Sequence, residues 1–179
     1  GDYVPCFTIP AGEGGLVATT FFTRSLKSQE WGWDAIRNYG FRITASEDTQ
    51  VKVYDLETKL VISELTIEGL SGGRIQPEAE AISVQSDKPI TLSLIHNGSI
   101  EQTRRQTGGR YASYGHGILF ICIQPNEDTM IHLPTQAFFE AYFFVSEDTQ
   151  ISIDAFSTII YADSPYLYTL PGTHLVRAN

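Results

Sequence analysis

One segment of the chain occurs twice. Ser46-Glu47-Asp48-Thr49-Gln50-Val51-Lys52-Val53 returns 100 residues later as Ser146-Glu147-Asp148-Thr149-Gln150-Ile151-Ser152-Ile153. Five consecutive identities followed by alternating β-branched residues mark an internal duplication, 41–56 matching 141–156. An apolar run precedes each copy, Phe41 to Ala45 and Ala141 to Val145. The pattern predicts a β-hairpin in which Ser-Glu-Asp-Thr turns the chain and its short polar side chains cap exposed backbone groups. Alternation then places Ile43, Val51 and Val53 on a core face, with Phe143, Ile151 and Ile153 as their counterparts. A weaker match aligns residues 60–70 with 159–170 and residues 80–86 with 173–179. The first copy runs on through Asp87-Lys88-Pro89 into a strand ending near His96, whereas the second reaches Asn179 where that strand would begin. An uncovered strand edge invites pairing with another chain. Tyr3-Val4-Pro5-Cys6-Phe7-Thr8-Ile9 has the alternation to fill it, which makes Tyr3, Val4, Phe7 and Ile9 candidate strand-donor residues, from this chain or a neighbour. A piece cut short of its last strand is the competing reading.

Elsewhere the pattern is also that of strands. Residues 60–62, 65–67, 81–84, 90–95, 118–123, 157–161, 166–170 and 174–177 are rich in Ile, Val, Thr, Tyr and Phe. Ser71-Gly72-Gly73, Ser86-Asp87-Lys88-Pro89, Asn97-Gly98 and Pro171-Gly172 read as the turns between them. Short strands at this spacing predict an all-β fold, a β-sandwich that is jelly-roll-like or made of two fused sandwich halves. The halves divide as 1–100 and 101–179, or close into one compact domain.

Composition narrows the function classes. Of 179 residues, 42% are hydrophobic and 12% aromatic, too many for disorder. Twelve basic residues against 21 acidic ones give a net charge of -9, which argues against nucleic-acid or anionic-membrane partners. No apolar run reaches membrane-spanning length, so no membrane insertion is expected. The chain begins at Gly1 and its single methionine is Met130, as in a processed chain or a cut piece of a longer one. Cys6 and Cys122 can form one disulfide in an oxidising compartment. Asn97-Gly98-Ser99 fits the N-glycosylation acceptor pattern. Together with few lysines and many Thr and Tyr residues, these features predict an extracellular or cell-surface protein.

Candidate sites are few. Trp31 and Trp33 share a face if 31–33 is a strand, a platform on which sugar rings stack, although two indoles more often cover the open end of a core. Arg104, Arg105 and Arg110 form the one basic cluster, in a Gly-rich stretch. It suits a solvated loop or a contact with an acidic neighbouring subunit. Acidic turns raise structural calcium near Asp48 and Asp148, without an EF-hand pattern. His96, His116, His132 and His174 are scattered without metal-ligand spacing. No nucleophile elbow or facing pair of carboxylates is specified, so no enzyme activity and no other cofactor are expected.

The stretches Ala45-Ser46-Glu47-Asp48-Thr49-Gln50-Val51-Lys52-Val53 and Ala81-Ile82-Ser83-Val84-Gln85-Ser86-Asp87-Lys88-Pro89-Ile90-Thr91 resemble the strand-turn-strand signatures of the IgGFc-binding protein N-terminal-type domain. This is a repeated β-rich extracellular module of mucin-like animal proteins and prokaryotic surface proteins. The resemblance covers about residues 40–97 and 138–179. It implies an exported adhesion or structural module without catalysis, and it carries no ligand residues. Residues 1–38 and 101–117 depart from the pattern, so antibody binding is not implied. The expected function is a structural or assembly module of a surface layer, sheath, filament or stalk, joined by strand donation to copies of itself or to neighbouring surface domains. The alternative is a glycan- or protein-binding adhesion module with Trp31 and Trp33 as its platform.

Overall fold

The computed structural model of the chain describes residues 6–11, 15–25, 39–96, 123–133, 141–162 and 164–179, with backbone alone at 6–8, 39, 95 and 96. Among these residues all regular structure is strand, in antiparallel sheets that pack as a β-sandwich. The first unit contains β1 (Cys6–Ile9), β2 (Ala18–Arg24), β3 (Tyr39–Ala45), β4 (Thr49–Asp55), β5 (Val61–Ile67), β6 (Ser71–Ile75) and β7 (Ala81–His96).

β7 organises this unit. Its first half lies between β2 and β4, with Gln85 opposite both Thr20 and Lys52. Its second half lies between β1 and β3, with Leu92 opposite both Ile9 and Ile43. β5 extends the first leaf beyond β4, and β6 extends the second beyond β3. One strand of 16 residues thus belongs to two four-stranded leaves. The core between them gathers Phe21, Val51, Val53, Ile82 and Val84 from one leaf and Ile9, Phe41, Ile43, Leu92 and Leu94 from the other, all at most 1% exposed. Burying side chains of this size stabilises by about 1.5–3 kcal/mol each before entropy is counted.

Residues 86–89 are therefore a bend inside β7 and not a turn between strands. Ala18 faces Ile90 while Thr20 faces Gln85, so a β-bulge absorbs the change of direction. The Ser86 hydroxyl donates to the Lys88 carbonyl at 2.7 Å, and the Asp87 carboxylate accepts the Gln50 N–H at 2.8 Å. Ser71-Gly72-Gly73 is likewise strand. At Gly72 a Cβ would come within 2.9 Å of the Ile43 carbonyl oxygen, so glycine allows a close strand approach that sequence alone reads as a turn. Gly172 opens a strand at φ +128°, a backbone conformation that favours glycine.

The second unit contains β8 (Asp128–Leu133), β9 (Ala141–Phe143), β10 (Thr149–Ile153), β11 (Phe156–Ile160), β12 (Tyr166–Tyr168) and β13 (Gly172–Ala178). They form a four-stranded sheet in the order β11-β10-β13-β8 and a two-stranded sheet of β12 and β9. The pairings repeat those of the first unit. β10–β11 and β10–β13 answer to β4–β5 and β4–β7, β9–β12 to β3–β6, and β8–β13 to β2–β7. Ile131, Phe143, Ile151, Ile153, Ile160 and Val176 form the second core. All six residues expected on the duplicated core faces are buried.

Strand pairing corrects the alignment of the two copies. Val53 pairs with Val84 and Ile153 with Val176, so Val84 corresponds to Val176 and Ile82 to His174. Matching residues 80–86 with 173–179 is off by one, and a one-residue slip exchanges the faces of a strand. Matching residues 60–70 with 159–170 fails for a different reason. Nine residues separate the paired Val53 and Ser63, whereas two separate the paired Ile153 and Phe156, so the second hairpin is shorter.

The strand-donor expectation is also corrected. Cys6 to Ile9 pair with Ile95 to Leu92 as part of the first unit's own sheet, and the Ile9 side chain lies in the first core. The segment does not fill a place in the second unit. Tyr3 and Val4 lie outside the described residues, and Phe7 is described by its backbone alone.

Candidate functional site

The duplicated Ser-Glu-Asp-Thr segments do not close the expected hairpins. β3 pairs with β6 and β7 while β4 pairs with β5 and β7, and β9 and β10 lie in different sheets. Each segment carries the chain from one sheet face to the other and does the same work twice. The Thr49 hydroxyl donates to the Glu47 carbonyl at 2.6 Å, and Thr149 does so to Glu147 at 2.7 Å. The Asp48 carboxylate accepts the Gly69 N–H at 2.9 Å, tying the β3–β4 turn to the β5–β6 loop. Asp148 accepts the Ala162 N–H at 2.9 Å between β11 and β12. The two residues read as calcium candidates thus each use Oδ1 as a loop cap. Among the described residues no group of three His, Cys, Asp or Glu side chains gathers that could hold a metal ion.

The described polar cluster with the most chemistry is one the sequence did not point out. His174 lies on β13 facing the second core and is 8% exposed. Its Nδ1 is 2.8 Å from Asp154 Oδ2 and 3.2 Å from the Tyr168 hydroxyl, and its Nε2 is 2.9 Å from the Leu170 carbonyl oxygen. Tyr168 and His174 meet edge to face, centroids 5.0 Å apart. Asp154 occupies the tight β10–β11 turn at φ +53°, a conformation Asp tolerates better than most residues. Its backbone N–H donates to the Leu175 carbonyl at 2.8 Å, and its Oδ1 accepts the Leu175 N–H at 2.9 Å. The hydrogen bond to Asp154 is the chief cause that raises the His174 pKa above 6.5, against the opposing effect of burial. The same bond holds the Asp154 carboxyl below its ordinary 3.8. Burial raises the Tyr168 phenol above 10.0, so it stays protonated at physiological pH.

In the first unit the position of His174 belongs to Ile82 and that of Tyr168 to Ile75, both buried in an apolar core. A correct register between the copies would have exposed this exchange, since it sets a histidine on a core face. With Nε2 engaged by a backbone carbonyl, His174 presents no free ring nitrogen to a substrate.

The cluster does not include the other residues singled out from the sequence. Trp31, Trp33, Asn97, Arg104, Arg105, Arg110 and Cys122 lie outside the described residues. The Cys6–Cys122 pairing falls there with them. Between the units, the Arg24 guanidinium on β2 lies 4.6 Å from the centre of the Tyr142 ring on β9, a cation–π contact. Tyr142 in turn stacks on Phe144 at 6.5 Å. Among the described residues no helix is long and apolar enough to cross a membrane. No protein-family model, no curated protein and no solved structure matches the chain.

Proposed function

We propose that the chain is a structural and assembly module of an extracellular surface, part of a layer, sheath, filament or stalk, and that its second unit is completed by an added strand. One comparison carries this reading. In the first unit β3 is flanked by β6 and by the second half of β7. In the second unit β9 is paired with β12, and among the described residues no strand takes the place of that half of β7. A strand laid there would gain the backbone pairing and the apolar contacts that Ile90, Leu92 and Leu94 make in the first unit. If a neighbouring molecule supplies it, the contact is head-to-tail and extends without closing. A low share of charged residues, 18%, the duplicated β unit and the resemblance to IgGFc-binding protein N-terminal-type domains support an exported module of this kind.

Size in solution tests the proposal, with a peptide of residues 87–96 as competitor. The expected result is growth into large species with rising concentration, suppressed by the peptide. A monomer at every concentration that binds no peptide overturns it. A monomer that responds on a glycan array favours the adhesion alternative.

A further inference from the structure

The two ring nitrogens of His174 both face acceptors. Nδ1 meets a carboxylate oxygen of Asp154, and Nε2 meets the backbone carbonyl of Leu170. Neither partner can supply a proton while Asp154 is ionised. Neutral imidazole carries one N–H, so it can serve only one of them, and the other contact sets lone pair against lone pair. The doubly protonated ring satisfies both. This arrangement joins three pieces of the second unit: the β10–β11 turn through Asp154, the β12–β13 loop through Leu170, and β12 through Tyr168. In the first unit the continuous β7 links the two leaves, and Ile82 fills the position of His174.

We propose that His174 is a pH-sensitive clasp of the second unit, closed when the imidazole is protonated and released at the Leu170 arm when it is not. The surrounding groups leave the switch to this one residue. Asp154 faces it from the turn and Tyr168 from β12, with Tyr166 two residues along the same strand. From β8 the residue opposite is the uncharged Ile131. His132, bonded to Thr173 at 2.9 Å, and the Asp128–Arg177 pair at 3.7 Å belong to neighbouring register positions. On proton loss Nδ1 keeps its hydrogen for the Asp154 carboxylate, a charge-assisted bond stronger than one to a neutral carbonyl, and Nε2 gives its hydrogen up. The Leu170 carbonyl oxygen then has no donor on the ring. The clasp therefore keeps its hold on the β10–β11 turn and loses its hold on the β12–β13 loop.

The sign follows from linkage. The His174 contribution is complete below its unfolded value near 6.5 and is lost as pH rises through its higher folded value. The Asp154 contribution is present above 3.8 and is lost as pH falls through its lower folded value. The clasp is thus tightest in mildly acidic solution and loosens on the alkaline side of neutrality. This inference does not depend on the assembly role proposed above.

The test is an NMR titration of the His174 ring in the full chain, with amide-exchange protection read across both units. The expected result is a His174 midpoint above 6.5 and a loss of protection in Tyr166–Tyr168 and Gly172–Ala178 as the ring deprotonates, with none in Thr49–Asp55. Asp154→Asn keeps an acceptor for the Leu175 N–H but removes the charge, so the midpoint falls and the extra pH dependence of the second unit disappears. His174→Leu imitates the first unit and should remove that dependence entirely. A midpoint at or below 6.5 overturns the proposal. So does a pH profile shared by both units, or one unchanged in Asp154→Asn.

Discussion

Two copies of one strand pattern solve the same packing problem differently. The first unit has a continuous strand that joins both leaves and an apolar core that contains Ile75 and Ile82. The second has two sheets that share no described strand, with Tyr168 and His174 at the corresponding positions, bonded to Asp154. An apolar core is indifferent to pH, since none of its side chains titrates. A hydrogen-bonded ionisable core depends on the proton count of each member. Where one copy relies on strand continuity and hydrocarbon, the other relies on directed bonds across the gap. The shorter β10–β11 hairpin makes this possible, because its tight turn brings Asp154 back against β13.

The largest effect is expected from Val53→Asp. Val53 is fully buried, and an unpaired carboxylate there costs about 4 kcal/mol or more. Loss of the first unit's tertiary signal in near-ultraviolet circular dichroism checks it. If amide exchange shows that the second unit keeps its protection in this variant, the two cores fold separately. If both units unfold together, the contact of Arg24 with Tyr142 belongs to a cooperative interface.

Leu92→Ala comes next. Leu92 is fully buried on the half of β7 that the second unit lacks among its described strands, and truncation costs about 2–5 kcal/mol. Urea unfolding should show a lowered midpoint at unchanged slope. A much smaller loss would mean that the bridging half of β7 contributes little, and the contrast between the units would weaken.

Tyr168→Phe removes one hydroxyl 3.2 Å from His174 and is expected to cost about 0.5–1.5 kcal/mol. The loss should be the same on both sides of neutrality, because Nδ1 keeps its hydrogen toward Asp154 in both states of the ring. Thermal unfolding at two pH values measures it, and a loss confined to the alkaline side would show that Nδ1 and not Nε2 gives up its hydrogen.

The smallest effect belongs to the shared turns. Asp48→Ala and Asp148→Ala each remove one exposed hydrogen bond to a loop N–H and are expected to cost about 0.5–1 kcal/mol apiece. Matching losses by chemical denaturation sharpen the equivalence of the two turns, and a marked inequality breaks it.

The sequence by itself determined the all-β class, the duplicated turn and the core faces, but not that each turn crosses between sheets instead of closing a hairpin. These are local matters: alternation with a period of two assigns each side chain to a face, and a turn motif repeated intact turns the chain the same way twice. It did not reveal β2 and β8. Thr20, Thr23 and Thr129 break the apolar alternation of these strands, and Met130 is 70% exposed. Glycines and a proline in β6 and β7 looked like turns because only neighbouring strands show why a side chain is excluded or a backbone donor is not needed. Tertiary structure alone decided the register between distant strands, and with it the place of Cys6 to Ile9 beside β7 and the meeting of Asp154, Tyr168 and His174. The physical reason is that strand register is set by hydrogen-bond pairing between segments far apart in the chain. A slip of one residue inverts every face, and the His174 cluster becomes legible only when that pairing is fixed.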